Sequence, residues 1–303
     1  MKLLLTGGLG FIGWSFIKKF SHNYDLVILT SSKSIEKIKK FPKLKEFTIE
    51  KVSIEDNKVI DIIKKYDPEV VVHLAALSGL TKCENNPDDA FRFNVYGTHN
   101  VLKGCIECSS KMIFLSSREV YGKTLHNVSK EEDPLLPSNT YGITKMIGET
   151  LVKYASDKHN LDYTILRPTN VYGPGSDAGI NMMIKSAVKE NKIRVNGANR
   201  LLNLIYVEDV CDLIHTLIND NRSSKQIFNV GSTDTLSLGE LAEKITRLFK
   251  KDTKIEYFSQ IETESNFNPS LEKLHSFGYR PKTSLDNGIK KTIEWYDSPT
   301  KTI

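Results

Sequence analysis

Tyr141 and Lys145 stand four residues apart in Tyr141-Gly142-Ile143-Thr144-Lys145, a spacing that puts both side chains on one face of a helix. An ammonium beside a phenol favours the phenolate and lowers the tyrosine pKa. Tyr141 could then take a proton from a substrate hydroxyl as hydride leaves the adjoining carbon. Alone the pair is weak, because tyrosine and lysine at this spacing also occur on plain helix surfaces. Two dozen residues upstream, the run Phe114-Leu115-Ser116 ends in Ser117, whose hydroxyl could bond the same oxygen and steady its developing charge. A serine at a strand end can equally do no more than cap backbone. Arg118-Glu119 follows, and Glu119 is either a second base or a loop carboxylate paired with Arg118.

Such groups need a strand edge and a helix start to hold them. Short apolar runs alternate with helical stretches from the first residue, the signature of βαβ units on a parallel sheet. Lys2 to Thr6, Leu26 to Thr30, Phe47 to Val52, Val70 to Leu74, Lys111 to Ser116 and Tyr163 to Arg167 read as strands. Gly13 to Phe20, Ile35 to Lys40, Val59 to Tyr66, Asp88 to Cys108 and Tyr141 to Lys158 read as helices. Between the first strand and first helix lies Thr6-Gly7-Gly8-Leu9-Gly10-Phe11-Ile12-Gly13. Gly7 permits a tight turn, Gly10 lets backbone approach a pyrophosphate, and Gly13 allows close helix–strand packing. The amides of Phe11 and Ile12 and the positive end of the helix would face the phosphates. The cofactor expected is NAD or NADP, and Lys145 could also hold its nicotinamide ribose.

An acid at the end of the second strand ordinarily bonds the ribose 2′-hydroxyl of NAD. Here the segment reads Thr30-Ser31-Ser32-Lys33, without an acid. Hydroxyls and a lysine would accept a 2′-phosphate, which tips the reading toward NADP. The alternative is that Lys33 points to water and NAD is held by backbone.

After Arg167 the rhythm changes. Pro168, Gly173, Pro174, Gly175 and Gly179 crowd together and mark a loop leaving the sheet. A helix from Asn181 to Glu190 and strands at Ile193 to Val195 and Leu202 to Val207 follow, and Gln226 to Val230 returns to the sheet. The expected fold class is α/β, a Rossmann doubly wound parallel sheet with a smaller C-terminal α/β substrate-binding lobe. The cofactor domain would take residues 1–167 with a returning segment about 205–235, and the lobe residues 168–204 and 236–303.

With 42 basic and 37 acidic residues among 303, the net charge of +5 is mild. No stripe is dominated by Lys and Arg, which argues against nucleic acid as a partner. Four cysteines make no disulfide framework, and Cys105 with Cys108 lacks a second pair for zinc, so no metal is expected. No apolar run approaches the length of a membrane span, and Lys2 with the early glycines breaks any signal-peptide pattern. The expected location is cytoplasmic.

In order along the chain, TGGLGFIG, VVHLAALSG, NVYGTHNVL, FLSSREVYG, YGITK, LRPTNVYGP, YVEDV and FNVGS make the sequence resemble the extended short-chain dehydrogenase/reductase family, in its NAD-dependent epimerase/dehydratase branch. The resemblance spans nearly the whole chain and implies a catalytic set of Ser117, Tyr141 and Lys145. It implies that Leu74, Ala75, Ala76, Leu115 and Ser116 line the cofactor, with Pro168 and Thr169 beside the nicotinamide. Ser53 and Ile54 fall where the family contacts adenine, Ser53 replacing the usual aspartate. Asn94 would support the active-site backbone, while Ser78, Arg118 and Asn170 would contact substrate. Two departures matter. The 4,6-dehydratases carry Asp-Glu after the serine or threonine, and here the pair is Arg118-Glu119. An arginine that clamps the nucleotide in the family aligns with Leu202, and Arg200, Arg194 or Lys254 would have to substitute.

The leading expectation is a 4-epimerase like those acting on UDP-glucose, which takes hydride from a nucleotide sugar onto bound cofactor and returns it to the other face. An NADP(H)-dependent keto-sugar reductase is the alternative, and a 4,6-dehydratase ranks third. A non-catalytic NAD(P)-binding regulator fits poorly with an intact Ser117, Tyr141 and Lys145. The resemblance also implies a homodimer, paired through the helices Asp88 to Cys108 and Tyr141 to Lys158.

Overall fold

The computed structural model describes residues 1–31, 46–122, 128–249, 251–258 and 267–298. Its strands are β1 (Lys2–Thr6), β2 (Asp25–Thr30), β3 (Thr48–Lys51), β4 (Val70–His73), β5 (Lys111–Leu115), β6 (Tyr163–Pro168), β7 (Asn170–Tyr172), β8 (Lys192–Asn196), β9 (Leu201–Tyr206), β10 (Gln226–Val230), β11 (Thr235–Ser237) and β12 (Lys254–Phe258). The described residues form two compact units. One comprises 1–122, 134–167 and 211–228, the other 123–133, 168–210 and 229–303.

The first unit is built on a seven-stranded sheet of order β10-β6-β5-β4-β1-β2-β3. From β3 to β6 the pairs are parallel, with Leu4 opposite both Val27 and Val71, and Val71 opposite Met112. Leu3, Leu4, Leu5, Val71 and Val72 are fully buried, because helices cover both faces of such a sheet and its strands need not alternate. The chain moves outward from β1 through β2 to β3, then resumes on the other side of β1 at β4. Open α/β sheets take ligands at the carboxyl ends of strands where the order reverses in this way.

The helix expected from Asp88 to Cys108 is continuous but not uniform. It runs as Pro87–Phe91, a π-helical turn over Arg92–Tyr96 and an α-helix over Gly97–Cys108. A π turn widens the coil by one residue, and Asn94 inside it is buried. Further on, Gly104 packs on Ile63, where a Cβ would come within 2.7 Å of the isoleucine side chain. The expected strand Leu202 to Val207 ends one residue early, since Val207 opens the helix Val207–Ile218. The short helix Leu80–Asn85 and strands β7 and β11 carry too few residues for a periodic signal. The helix expected over Ile35 to Lys40 lies outside the described residues.

The second unit holds a three-stranded sheet, β11-β9-β7, and a parallel pair, β12-β8. Tyr172, Ile184, Ile193, Leu204, Leu241 and Ile289 belong to its separate core.

Candidate active site

The glycine turn at the end of β1 is shaped by what cannot fit there. Gly7 has φ +69°, and a Cβ on it would stand 2.8 Å from the Ala75 amide. A Cβ on Gly13 would stand 2.5 Å from the Gly7 carbonyl. Gly10 is exposed and begins the helix Phe11–Phe20 with no capping side chain, which leaves the first amides, those of Phe11 and Ile12 among them, to a ligand. A dinucleotide pyrophosphate fits this cradle, because backbone can approach it closely and the helix presents its positive end.

Ser117 lies just past β5 and is nearly buried. Its hydroxyl accepts the Glu119 amide at 3.2 Å and lowers the pKa of the Tyr141 phenol, so it caps backbone and acts on the tyrosine at once. Tyr141 sits in the first turn of the helix Thr140–His159, with Lys145 one turn on. Lys145 is 3% exposed, and its Nζ lies 4.7 Å from the centroid of the Phe114 ring.

Burial pulls the Lys145 amine down to about 8, against the carboxylate of Glu149 and the Cys83 thiol, which hold it up. The Tyr141 ring is partly exposed, yet burial of its phenol, then Cys83 and Glu119, push the hydroxyl well above its usual range, and the Ser117 hydroxyl only partly offsets them. A tyrosine lowered by its lysine neighbour is therefore not what this site shows. Removal of the phenol from water dominates, and Ser117 is what offsets it in part.

Asn139 fixes where the helix starts. Its Oδ1 accepts the Gly142 amide at 2.8 Å, and its Nδ2 donates to Glu119 Oε2 at 2.8 Å. Arg118 holds the other oxygen of Glu119 at 2.8 Å. Gly142 must lack a side chain, since a Cβ there would stand 2.3 Å from the Glu119 carbonyl. Asn94 accepts the Leu77 amide at 2.7 Å and donates to the Leu77 carbonyl and to Thr144 Oγ1, both at 3.0 Å. It thereby joins the segment after β4 to the helix of Tyr141. Asn139 was open to sequence reasoning as an N-cap residue directly before the helix. Its link to Glu119 was not.

Of the other sequence candidates in this unit, Leu74, Ala75 and Ala76 are partly buried at the end of β4, and the Ala75 amide donates to Thr6 Oγ1 at 3.2 Å. Ser78 is exposed, while Leu115 and Ser116 are buried. Ile54 is 5% exposed within the core, so its side chain serves packing, and Ser53 bonds the Glu55 carboxylate. Thr30 is buried and Ser31 partly so; Ser32 and Lys33 lie outside the described residues. The second unit holds Pro168, Thr169, Asn170 and Arg200. Thr169 Oγ1 is buried without a partner among the described residues, and Asn170 Nδ2 donates to the Asn203 carbonyl at 3.1 Å. Among the described residues no helix is long and apolar enough to cross a membrane.

A model of the NAD dependent epimerase/dehydratase family matches residues 3–231. A Methanocaldococcus jannaschii protein named "Putative UDP-glucose 4-epimerase" is 30% identical over 310 residues, 99% of this chain and 100% of its own length. The dTDP-D-glucose 4,6-dehydratase of Mus musculus is 27% identical over 317 residues, covering 97% of this chain and 88% of its own. Among solved structures, the UDP-glucose 4-epimerase of Thermotoga maritima, determined with UDP-glucose, shares the fold at a TM-score of 0.87 and 24% identity, with 98% of each chain covered. Relatives thus include sugar-nucleotide 4-epimerases and 4,6-dehydratases, and this chain is a member of the NAD-dependent epimerase/dehydratase family.

Proposed function

We propose that the protein is a sugar-nucleotide 4-epimerase that keeps NAD bound through each turnover. The observation that carries this reading is Tyr141 in the first turn of its helix with Lys145 buried one turn on, beside Ser117 at the end of β5 and in the same unit as the glycine cradle. Bound NAD would supply the acceptor and later the donor of hydride. Gly7, Gly10, Phe11, Ile12 and Gly13 would hold its pyrophosphate, and Lys145 its nicotinamide ribose. Tyr141 takes the proton of the sugar 4-hydroxyl and returns it after the sugar has turned. Ser117 donates to the same oxygen throughout. The Lys145 ammonium favours the phenolate that the first step needs, while burial favours the phenol that the last step needs. In the second unit, Asn170 and Arg200 are the candidates to hold the nucleotide.

The contacts of Glu119 support the epimerase reading over a 4,6-dehydratase. Arg118 occupies one of the Glu119 oxygens and Asn139 the other, which makes Glu119 a clamp on the helix of Tyr141. A keto-sugar reductase using NADPH is the second reading, supported by the acid-free end of β2 at Thr30 and Ser31. Exposed Phe91, Tyr96 and Tyr154 stand on the two helical segments through which we propose a homodimer, acting in the cytoplasm. Mass spectrometry of the nucleotide released on denaturing the purified protein separates the readings. One equivalent of NAD supports the epimerase. An empty site that takes up NADPH in preference to NAD supports the reductase and counts against retained NAD.

A further inference from the structure

Tyr141, Lys145 and Glu149 recur every four residues along the helix Thr140–His159 and form one column on it. Glu149 is fully buried. Its Oε1 accepts Ser116 Oγ at 2.6 Å and Arg167 Nε at 2.9 Å, and its Oε2 accepts Arg167 Nη2 at 2.7 Å. Arg167 in turn donates to the Tyr121 hydroxyl at 2.7 Å, and Lys153 Nζ stands 3.9 Å from Glu149 on the outer side. A two-pronged guanidinium and a hydroxyl thus supply the hydrogen bonds that a buried carboxyl needs. The cluster spans β5, β6 and the catalytic helix, so a tie between elements is one purpose it serves.

Its place in the column points to another. Lys145 is faced by Cys83 of the helix Leu80–Asn85, by His73 of β4, by the Phe114 ring of β5, and by Tyr141 and Glu149 of its own helix. The His73 ring is held neutral by burial, and burial likewise raises the Cys83 thiol away from ionisation. Glu149 is the formal negative charge in that set.

We infer that Glu149 is a positioning residue for the proposed reaction: its carboxylate keeps the buried Lys145 charged and, through Ser116, ties the strand end that bears Ser117 to the helix that bears Tyr141. The inference rests on the epimerase reading for its purpose, but not for its test. With Glu149 present the Lys145 amine sits at about 8, so it is mostly an ammonium at neutral pH. Removing an opposite charge lowers an amine further, by on the order of one pH unit or more, and neutral Lys145 would then predominate.

The test is an NMR titration of Lys145 in the full-length protein, beside the pH profile of kcat/KM with UDP-glucose. Glu149→Gln should lower the Lys145 midpoint by about one pH unit or more and carry the alkaline limb of the profile down with it, and Glu149→Asp should restore both in part. Because Glu149→Gln strands a buried guanidinium and could unfold the protein, the double variant Glu149→Gln/Arg167→Met removes both charges and should lower the midpoint as well. A Lys145 midpoint unchanged in the folded variant overturns the inference. A wild-type protein inactive on every nucleotide sugar, with a midpoint that still falls when Glu149 is lost, sinks the epimerase reading and leaves the hold of Glu149 on Lys145 standing.

Discussion

Two glycines in the cofactor turn should differ in what the same methyl group costs them: stability and affinity at Gly13, affinity alone at Gly10. An alanine at Gly13 would put Cβ 2.5 Å from the Gly7 carbonyl oxygen, 2.6 Å from Gly8 Cα and 2.8 Å from the Gly8 carbonyl oxygen, all of it backbone. Relaxed contact needs about 3.5 Å, so turn and helix must part by roughly 1 Å. The turn resists, since Gly7 N donates to the Leu29 carbonyl at 2.9 Å and Gly10 N to the Gly7 carbonyl at 2.8 Å. Overpacking of this kind costs about 1–3 kcal/mol. At Gly10 the added Cβ would meet one atom, the Gly7 carbonyl oxygen, at 3.0 Å. Its φ of −74° and ψ of −178° suit alanine, so stability should stay within about 0.5 kcal/mol of wild type. The methyl would nevertheless stand on the face that a pyrophosphate approaches. Urea denaturation and calorimetric titration of NAD onto nucleotide-free protein read the two effects separately. Gly13→Ala should lose stability and affinity together. Gly10→Ala should keep its stability and bind NAD at least about tenfold more weakly, a loss of about 1.4 kcal/mol. If Gly10→Ala binds NAD as wild type does, the pyrophosphate does not lie on this turn.

Three further outcomes follow from the site and its supports. Tyr141→Phe should lower turnover by roughly 10²–10⁴-fold while calorimetry finds NAD binding intact; near wild-type turnover would remove Tyr141 from proton transfer. Asn139→Ala should lower stability by about 1 kcal/mol through loss of the cap, read by urea denaturation, and lower kcat because Glu119 and the first turn of the helix lose their link. His73 is fully buried and depressed to about 3, burial being the main cause and Lys145 the second. Its ring nitrogens engage Thr6 at 2.7 Å and Thr98 at 3.0 Å. The unfolded chain binds a proton below pH ~6.5 that the native ring refuses until about 3, so this contribution is complete above pH ~6.5 and is lost as pH falls across that window. The slope should be about 1.4 kcal/mol per pH unit, and a His73→Asn variant should lack that part of the acid dependence.

What could be read in the sequence was local. Gly7, Gly10 and Gly13 carry their meaning in their spacing after a strand, and Tyr141 with Lys145 in a four-residue step. The sheet strands declared themselves as apolar runs because a parallel sheet is buried on both faces. The supports of the site are pairings between distant positions, which no local pattern encodes. Asn139 reaches back 20 residues to Glu119, Arg167 reaches 18 to Glu149, and Asn94 reaches 50 to Thr144. The state of Tyr141 was hidden for a related reason. Its neighbour Lys145 is visible in the sequence, but the burial that dominates its phenol comes only from the packed fold.

Proton NMR of UDP-glucose incubated with the protein in D2O, without added cofactor, reads reversible hydride transfer at C4 with NAD retained. A retained-NAD epimerase should interconvert the two C4 epimers, keep hydrogen at C4 and accumulate no free NADH, and Tyr141→Phe should be nearly silent. A 4-keto-6-deoxy product carrying solvent deuterium at C5, or a reaction that proceeds only while NADPH is consumed in step with product, would contradict that reading.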